Sequence, residues 1–172
     1  MRAKLRLTIL LTLSLAMMFT LAGCRDKSQS GSTYVEPDIT VEYLSTEYAE
    51  QLLRDGAVHI FGTINIITDE NGNPFLEIAE KEFVTDANQP NGFYVADKNL
   101  NSRYPLSFEA RTTHLAGGTS IPTIMTSENF VKAVTSDLKL YGTSNPEYAQ
   151  YKLYDIYVIG EQVEMILARY IP

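Results

Sequence analysis

Few side chains in this sequence could do chemistry alone. It holds two histidines, His59 and His114, and one cysteine, Cys24. Two histidines and a carboxylate could bind zinc or trade protons, but no short-spaced pair of the HExxH kind is present. His114-Leu115-Ala116-Gly117-Gly118 is not an HGGG oxyanion loop, and no GxSxG elbow accompanies it. The sequence therefore assigns no catalytic residue, no metal ligand and no cofactor. A hydrolase using His59 or His114 with a carboxylate stays open as an alternative. Asp69-Glu70-Asn71-Gly72-Asn73 has the oxygen-rich look of a calcium loop, but its Gly falls at position 4 rather than 6. Asn71-Gly72 reads instead as a tight hairpin turn.

Tyrosine is the unusual residue. There are 11 in a chain without tryptophan. Tyr148, Tyr151, Tyr154 and Tyr157 recur every third residue, so on a strand Tyr154 faces opposite to Tyr151 and Tyr157. Some of these rings should be exposed. Tyr151, Tyr154 and Tyr157 are the candidate binding residues, because tyrosine joins apolar area to a polar tip at interfaces. The competing explanation is cross-strand packing, where tyrosine is equally at home.

The N-terminus carries a different kind of signal. Arg2, Lys4 and Arg6 precede a run from Leu7 to Leu21 that is apolar apart from three Thr and one Ser, and the run ends Leu21-Ala22-Gly23-Cys24. A basic start, a short apolar stretch and small residues before a cut describe an export signal. The run falls short of the roughly 20 residues of a membrane-spanning helix. Leu-Ala-Gly-Cys resembles the lipobox of bacterial lipoproteins. The resemblance implies cleavage before Cys24, lipidation of that residue, and residence in the cell envelope facing the extracytoplasmic side. It covers residues 1–24 and implies nothing about the rest.

Charge narrows the partners. Loss of residues 1–23 would leave 11 Lys+Arg against 21 Asp+Glu, a formal charge of −10. Such acidity opposes binding to nucleic acid phosphates and to anionic headgroups. Contact with the membrane would then run through acyl chains on Cys24, at about 0.8 kcal/mol per buried methylene. With Cys24 acylated no thiol would remain for a disulfide or a nucleophile.

The elements that must position these residues are read from pattern. Residues 1–23 are expected as signal peptide, 24–40 as lipidated cysteine and flexible tether, and 41–172 as one globular domain. Tyr34–Leu44 alternates weakly as an extended lead-in, and Ser45 caps a short helix that stops at Gly56. Val58–Thr68 is a strand with Val58, Ile60, Ile64 and Ile66 on one face. Phe75–Val84 returns antiparallel, with a bulge near Ala79-Glu80 that brings Phe83 back inward. Phe93–Ala96 and Leu106–Thr112 read as separate strands. The first is followed by a polar loop at Asp97, Lys98, Asn99 and Asn101. In the second, Leu106, Phe108 and Ala110 share the inner face. Leu115–Pro122 reads as a mobile loop. Ser127 caps a helix to Leu138 with Phe130 and Val134 inside, and Asn145-Pro146-Glu147 opens a helical turn. Lys152–Ile159 and Val163–Ile171 form a closing hairpin, the second strand apolar on both faces.

This order predicts an α+β domain: an antiparallel sheet or a small OB-like β-barrel with two short helices. The expected function is a lipid-anchored extracytoplasmic binding or interaction domain with a protein or small-ligand partner. A structural envelope assembly protein is the third possibility.

Overall fold

Six strands and two helices carry the described part of the chain. The computed structural model describes residues 39–117, 119–141 and 152–171, which belong to a unit running from Asp38 to Pro172. The export signal, Cys24, the tether, Tyr148, Tyr151 and the Asn145 turn lie outside the described residues. No helix among the described residues is long and apolar enough to cross a membrane.

The first helix, α1, starts earlier than its sequence suggests. Val41–Tyr43, a π-helical stretch Leu44–Tyr48, and Ala49–Arg54 follow one another without a break. The cap is Thr40, whose Oγ1 accepts from the Tyr43 N–H at 3.1 Å, and not Ser45, whose hydroxyl donates to the Glu42 carbonyl. A π turn brings residues five apart into line. Tyr43 and Tyr48 stack at 6.4 Å, and the Arg111 guanidinium lies 4.1 Å from the Tyr48 ring centre.

The strands are β1 (Val58–Thr68), β2 (Pro74–Thr85), β3 (Phe93–His114), β4 (Thr123–Thr126), β5 (Leu153–Ile159) and β6 (Gln162–Arg169); α2 (Ser127–Tyr141) lies between β4 and β5. Their order is β2-β1-β5-β6-β3-β4, with a further pairing of β2 to β3. Each of β1, β2, β3, β5 and β6 is therefore hydrogen-bonded to two others of that set. The sheet is mixed rather than antiparallel, because β3 and β6 run parallel. Five strands paired in a closed circuit cannot all alternate in direction, and with the other four contacts antiparallel the β3–β6 contact must be parallel.

Two apolar clusters result. Ile60, Ile64, Leu76, Ile78, Leu106, Phe130, Tyr154, Ile156, Val163 and Ile166 belong to one. Leu44, Ala49, Leu52, Tyr157, Met165 and Leu167 belong to the other, which packs α1 on the sheet. The last strand is apolar on both faces because it serves both. Its alternation slips once: Val163 joins the face of Ile166 rather than that of Met165. The pairing with β5 spends one step from Val158 to Tyr157 but two from Val163 to Met165, so Glu164 is the extra residue.

Two further expectations are corrected. Asp97, Lys98, Asn99 and Asn101 are not a loop but part of β3, which runs unbroken for 22 residues. The register does shift opposite Ala79 and Lys81, yet the surplus residues are on β3, where Asn99 takes φ 54°. No inward turn of β2 follows, and Phe83 remains exposed, stacked on Phe93 at 4.4 Å. Gly62 permits the close approach of β1 and β2, since a Cβ there would run into the Ala79 carbonyl.

Candidate functional site

A concave, largely apolar surface begins at a second interruption of β3. Between Leu106, opposite Val163, and Arg111, opposite Met165, β3 spends five steps where β6 spends two. A bulge of this kind re-aims side chains. Leu106 and Ala110 stay buried, but Phe108, expected beside them, is turned out and is 86% exposed. Ser127 Oγ donates to the Phe108 carbonyl at 2.6 Å, and the Glu109 N–H reaches Ser107 Oγ at 3.3 Å. Ser127 thus ties the bulge to the start of α2, while the helix-capping role falls to Thr126, whose Oγ1 accepts from the Asn129 N–H.

Phe108 lines a groove of about 580 Å³. Its apolar surface comes from Phe75, Pro105, Leu106 and Val131, and its polar edge from Asp69, Glu128, Lys132 and Gln162. Each part is held. Asp69 Oδ1 accepts from the N–H groups of Asn71 and Asn73, both at 2.8 Å, and Gly72 takes φ 85°, which fixes the β1–β2 turn. The hydrogen bonds from Asn73 and Asn71 hold the Asp69 carboxyl below the ordinary carboxylate range. Lys132, by hydrogen bond and charge, does the same to Glu128 one turn away on α2. Arg103 sits 4.8 Å from the Phe75 ring centre. The groove can take up an apolar or aromatic group flanked by hydrogen-bonding atoms.

Both histidines do meet carboxylates. His59 Nε2 lies 2.8 Å from Asp155 Oδ1, and Arg169 Nε donates to Asp155 Oδ2 at 2.7 Å. His114, at the end of β3, is 3% exposed; its Nε2 is 2.9 Å from Asp137 Oδ2 and its Nδ1 is 3.2 Å from Tyr154 Oη. Lys152 pairs with Asp137 and donates to the Leu115 carbonyl. Burial first, then the charge of Lys152, hold the His114 pKa below its ordinary 6.5 against the opposing pull of Asp137. The space lined by His114 and Asp137 is about 10 Å³, room for about one water, whereas Lys152 and Tyr154 also line a neighbouring hollow of about 210 Å³.

The proposed tyrosine surface is not formed by the two members that are described. Tyr154 and Tyr157 face opposite ways, as their spacing requires, but they belong one to each apolar cluster. Packing accounts for both, and burial raises the Tyr157 pKa, aided by the Asp155 charge. The groove was not legible from the sequence: Phe108 alternates as a core residue, and only the bulge exposes it. Searches against protein-family models, curated proteins and solved structures return no match for this chain.

Proposed function

We propose that this chain is a lipid-anchored extracytoplasmic binding domain with an OB-like barrel, and that the Phe108 groove is where it takes its ligand or partner. The anchor rests on the Leu21-Ala22-Gly23-Cys24 signal. The OB-like description is supported by the circuit β1–β2–β3–β6–β5–β1, with one parallel contact and a helix before the last hairpin. OB-folds bind ligands beside the loop joining their first two strands and the loop of their last hairpin. The groove is lined by Asp69, Gly72 and Asn73 from the first of these positions and by Gln162, which follows the second.

The observation that carries the proposal is an aromatic ring turned to solvent in mid-strand by a tethered bulge. Nothing in core packing requires that ring to be outside. The groove partner is neutral or cationic rather than a nucleic acid, given a formal charge of −7 before processing. A hydrolase at His114 finds less support, since the described space that His114 and Asp137 line is only about 10 Å³.

The test is an amide-shift titration of the chain with short apolar peptides and with cell-wall oligosaccharides. Perturbations should cluster at Phe75, Phe108 and Val131 for one of these classes. Phe108→Ala should weaken that binding at least about tenfold, as for an interface anchor, without lowering the melting temperature. Binding unaffected by Phe108→Ala, or none from either class, would overturn the assignment.

A further inference from the structure

We propose that His114, Asp137, Lys152 and Tyr154 form an acid-sensitive latch that holds the C-terminal half of α2 against the sheet. The four groups come from three places in the chain: the end of β3, the third turn of α2, and the entry to β5. Phe130 and Val134 fix the first half of the helix by burial in the core. Past Val134 no described α2 side chain is fully buried; Asp137 and Leu138 are half-buried. Asp137 is a polar tie at this end, and it is shared by a histidine and a lysine.

The 2.9 Å contact of Nε2 with the Asp137 carboxylate decides the tautomer over the longer 3.4 Å approach of Lys152 Nζ. An ionised Asp137 can only accept, so the proton of the neutral ring sits on Nε2, and Nδ1 is bare. Nδ1 then accepts from the Tyr154 hydroxyl, itself enclosed in the core. Acid adds a proton at Nδ1. Two donors then face each other, so the bond between Nδ1 and the phenol is lost unless the phenol turns its proton elsewhere. The added charge also lies beside Lys152 Nζ, 3.4 Å from Nε2, with one carboxylate between two cations. Among the described residues around the ring no second anion appears: Phe130 meets it edge-on, Ile64 and Val134 are apolar, and the β4 partner is Thr123. Water relieves the protonated ring, and it gains access when this end of α2 lifts.

The direction follows from linkage. In an unfolded or lifted state the ring takes up its proton near 6.5, whereas in the latched state it does so only at lower pH. The latch is therefore at full strength above 6.5 and weakens as the pH falls below it. Each unit between the two midpoints multiplies the population of the lifted state about tenfold once the pH is below both. Because α2 also supplies Glu128, Val131 and Lys132 to the groove, the latch would tie ligand uptake to external pH; that last link alone rests on the proposed function.

Amide hydrogen exchange on the full chain in detergent, corrected for intrinsic rates, reads the latch without any ligand. Protection over residues 134–141 should fall at least about tenfold between pH 7.5 and pH 5, while β5 and β6 keep theirs. His114→Gln, which cannot gain a charge, should abolish that change, and His59→Gln should leave it intact. Should His114→Gln fail to fold, the ring of the wild-type chain decides, followed by its C–H resonances. Its titration midpoint must coincide with the midpoint of helix loosening. Equal α2 protection at the two pH values, a pH response that survives His114→Gln, or separated midpoints would each overturn the latch.

Discussion

Leu167→Ala tests whether α1 is packed on the sheet as described. Leu167 is 7% exposed in the cluster of Leu44, Leu52, Tyr157 and Met165. Its truncation loses the transfer free energy of the removed carbons and leaves a cavity, together about 2–5 kcal/mol for a buried leucine. Because one wall of this site is a single helix, which can settle inward, the lower half of that range applies, about 2–3 kcal/mol. For a domain of this size each kcal/mol lowers the melting temperature by about 3–5 °C, so a drop of about 6–15 °C is expected. The assay is thermal and urea unfolding followed by circular dichroism; the urea midpoint should fall with its slope unchanged. Tyr154→Ala should also melt early, since it empties the other cluster and removes the donor to His114 Nδ1. Phe108→Ala is the control, expected within about 0.5 kcal/mol of wild type for an exposed side chain. A Leu167→Ala protein that melts within about 2 °C of wild type would refute the packing of α1 on β6.

Gly62→Ala should cost about 1–3 kcal/mol, because its methyl would force β1 from the Ala79 carbonyl, and thermal unfolding reads this directly. Cys24→Ala should abolish incorporation of a labelled fatty acid, since the chain has no second cysteine to accept it; label that persists would sink the lipobox reading. Single-stranded DNA should show no measurable binding at physiological salt in a fluorescence titration, and micromolar affinity with a steep salt dependence would overturn the charge argument.

Residues that meet along one strand or helix were legible; residues that meet across the sheet were not. The Asn71-Gly72 turn, the Phe130–Val134 face of α2 and the closing hairpin all follow from local pattern, and each stands close to where pattern puts it. His59 and Asp155 are 96 positions apart and meet because β1 lies beside β5, with Phe61 opposite Asp155. No spacing in the sequence announces that pair. Strict alternation failed where register slipped at Phe108 and Val163; at Phe83 it held, and the bulge expected on β2 was what failed. A bulge changes which face a residue occupies without changing its type, so the pattern before and after it reads the same. The long β3 was split in sequence for a related reason. Asp97, Lys98 and Asn99 look like a turn, yet Lys81 and Glu80 on β2 pair with Asp97 and Lys98 and hold the polar stretch in the sheet.

The groove and the latch share one helix, and the arrangement of α2 connects them physically. The helix has 15 residues, about 22 Å at 1.5 Å per residue. Its buried pair, Phe130 and Val134, lies near the middle, one turn apart on one face. Ser127, Glu128, Val131 and Lys132 meet the groove at one end; Asp137 meets His114 and Lys152 at the other. A helix seated at its middle on two apolar side chains resists being pulled from the sheet more than it resists tilting about that seat, because a tilt keeps most of the buried contact. The Asp137 tie at the C-terminal end would bias that tilt. At the N-terminal end the Ser127 bond to the Phe108 carbonyl would carry any tilt into the bulge that holds Phe108 out, since that hydroxyl bridges helix and strand. The same bond that ties the groove to α2 would then make the groove responsive to the far end of the helix.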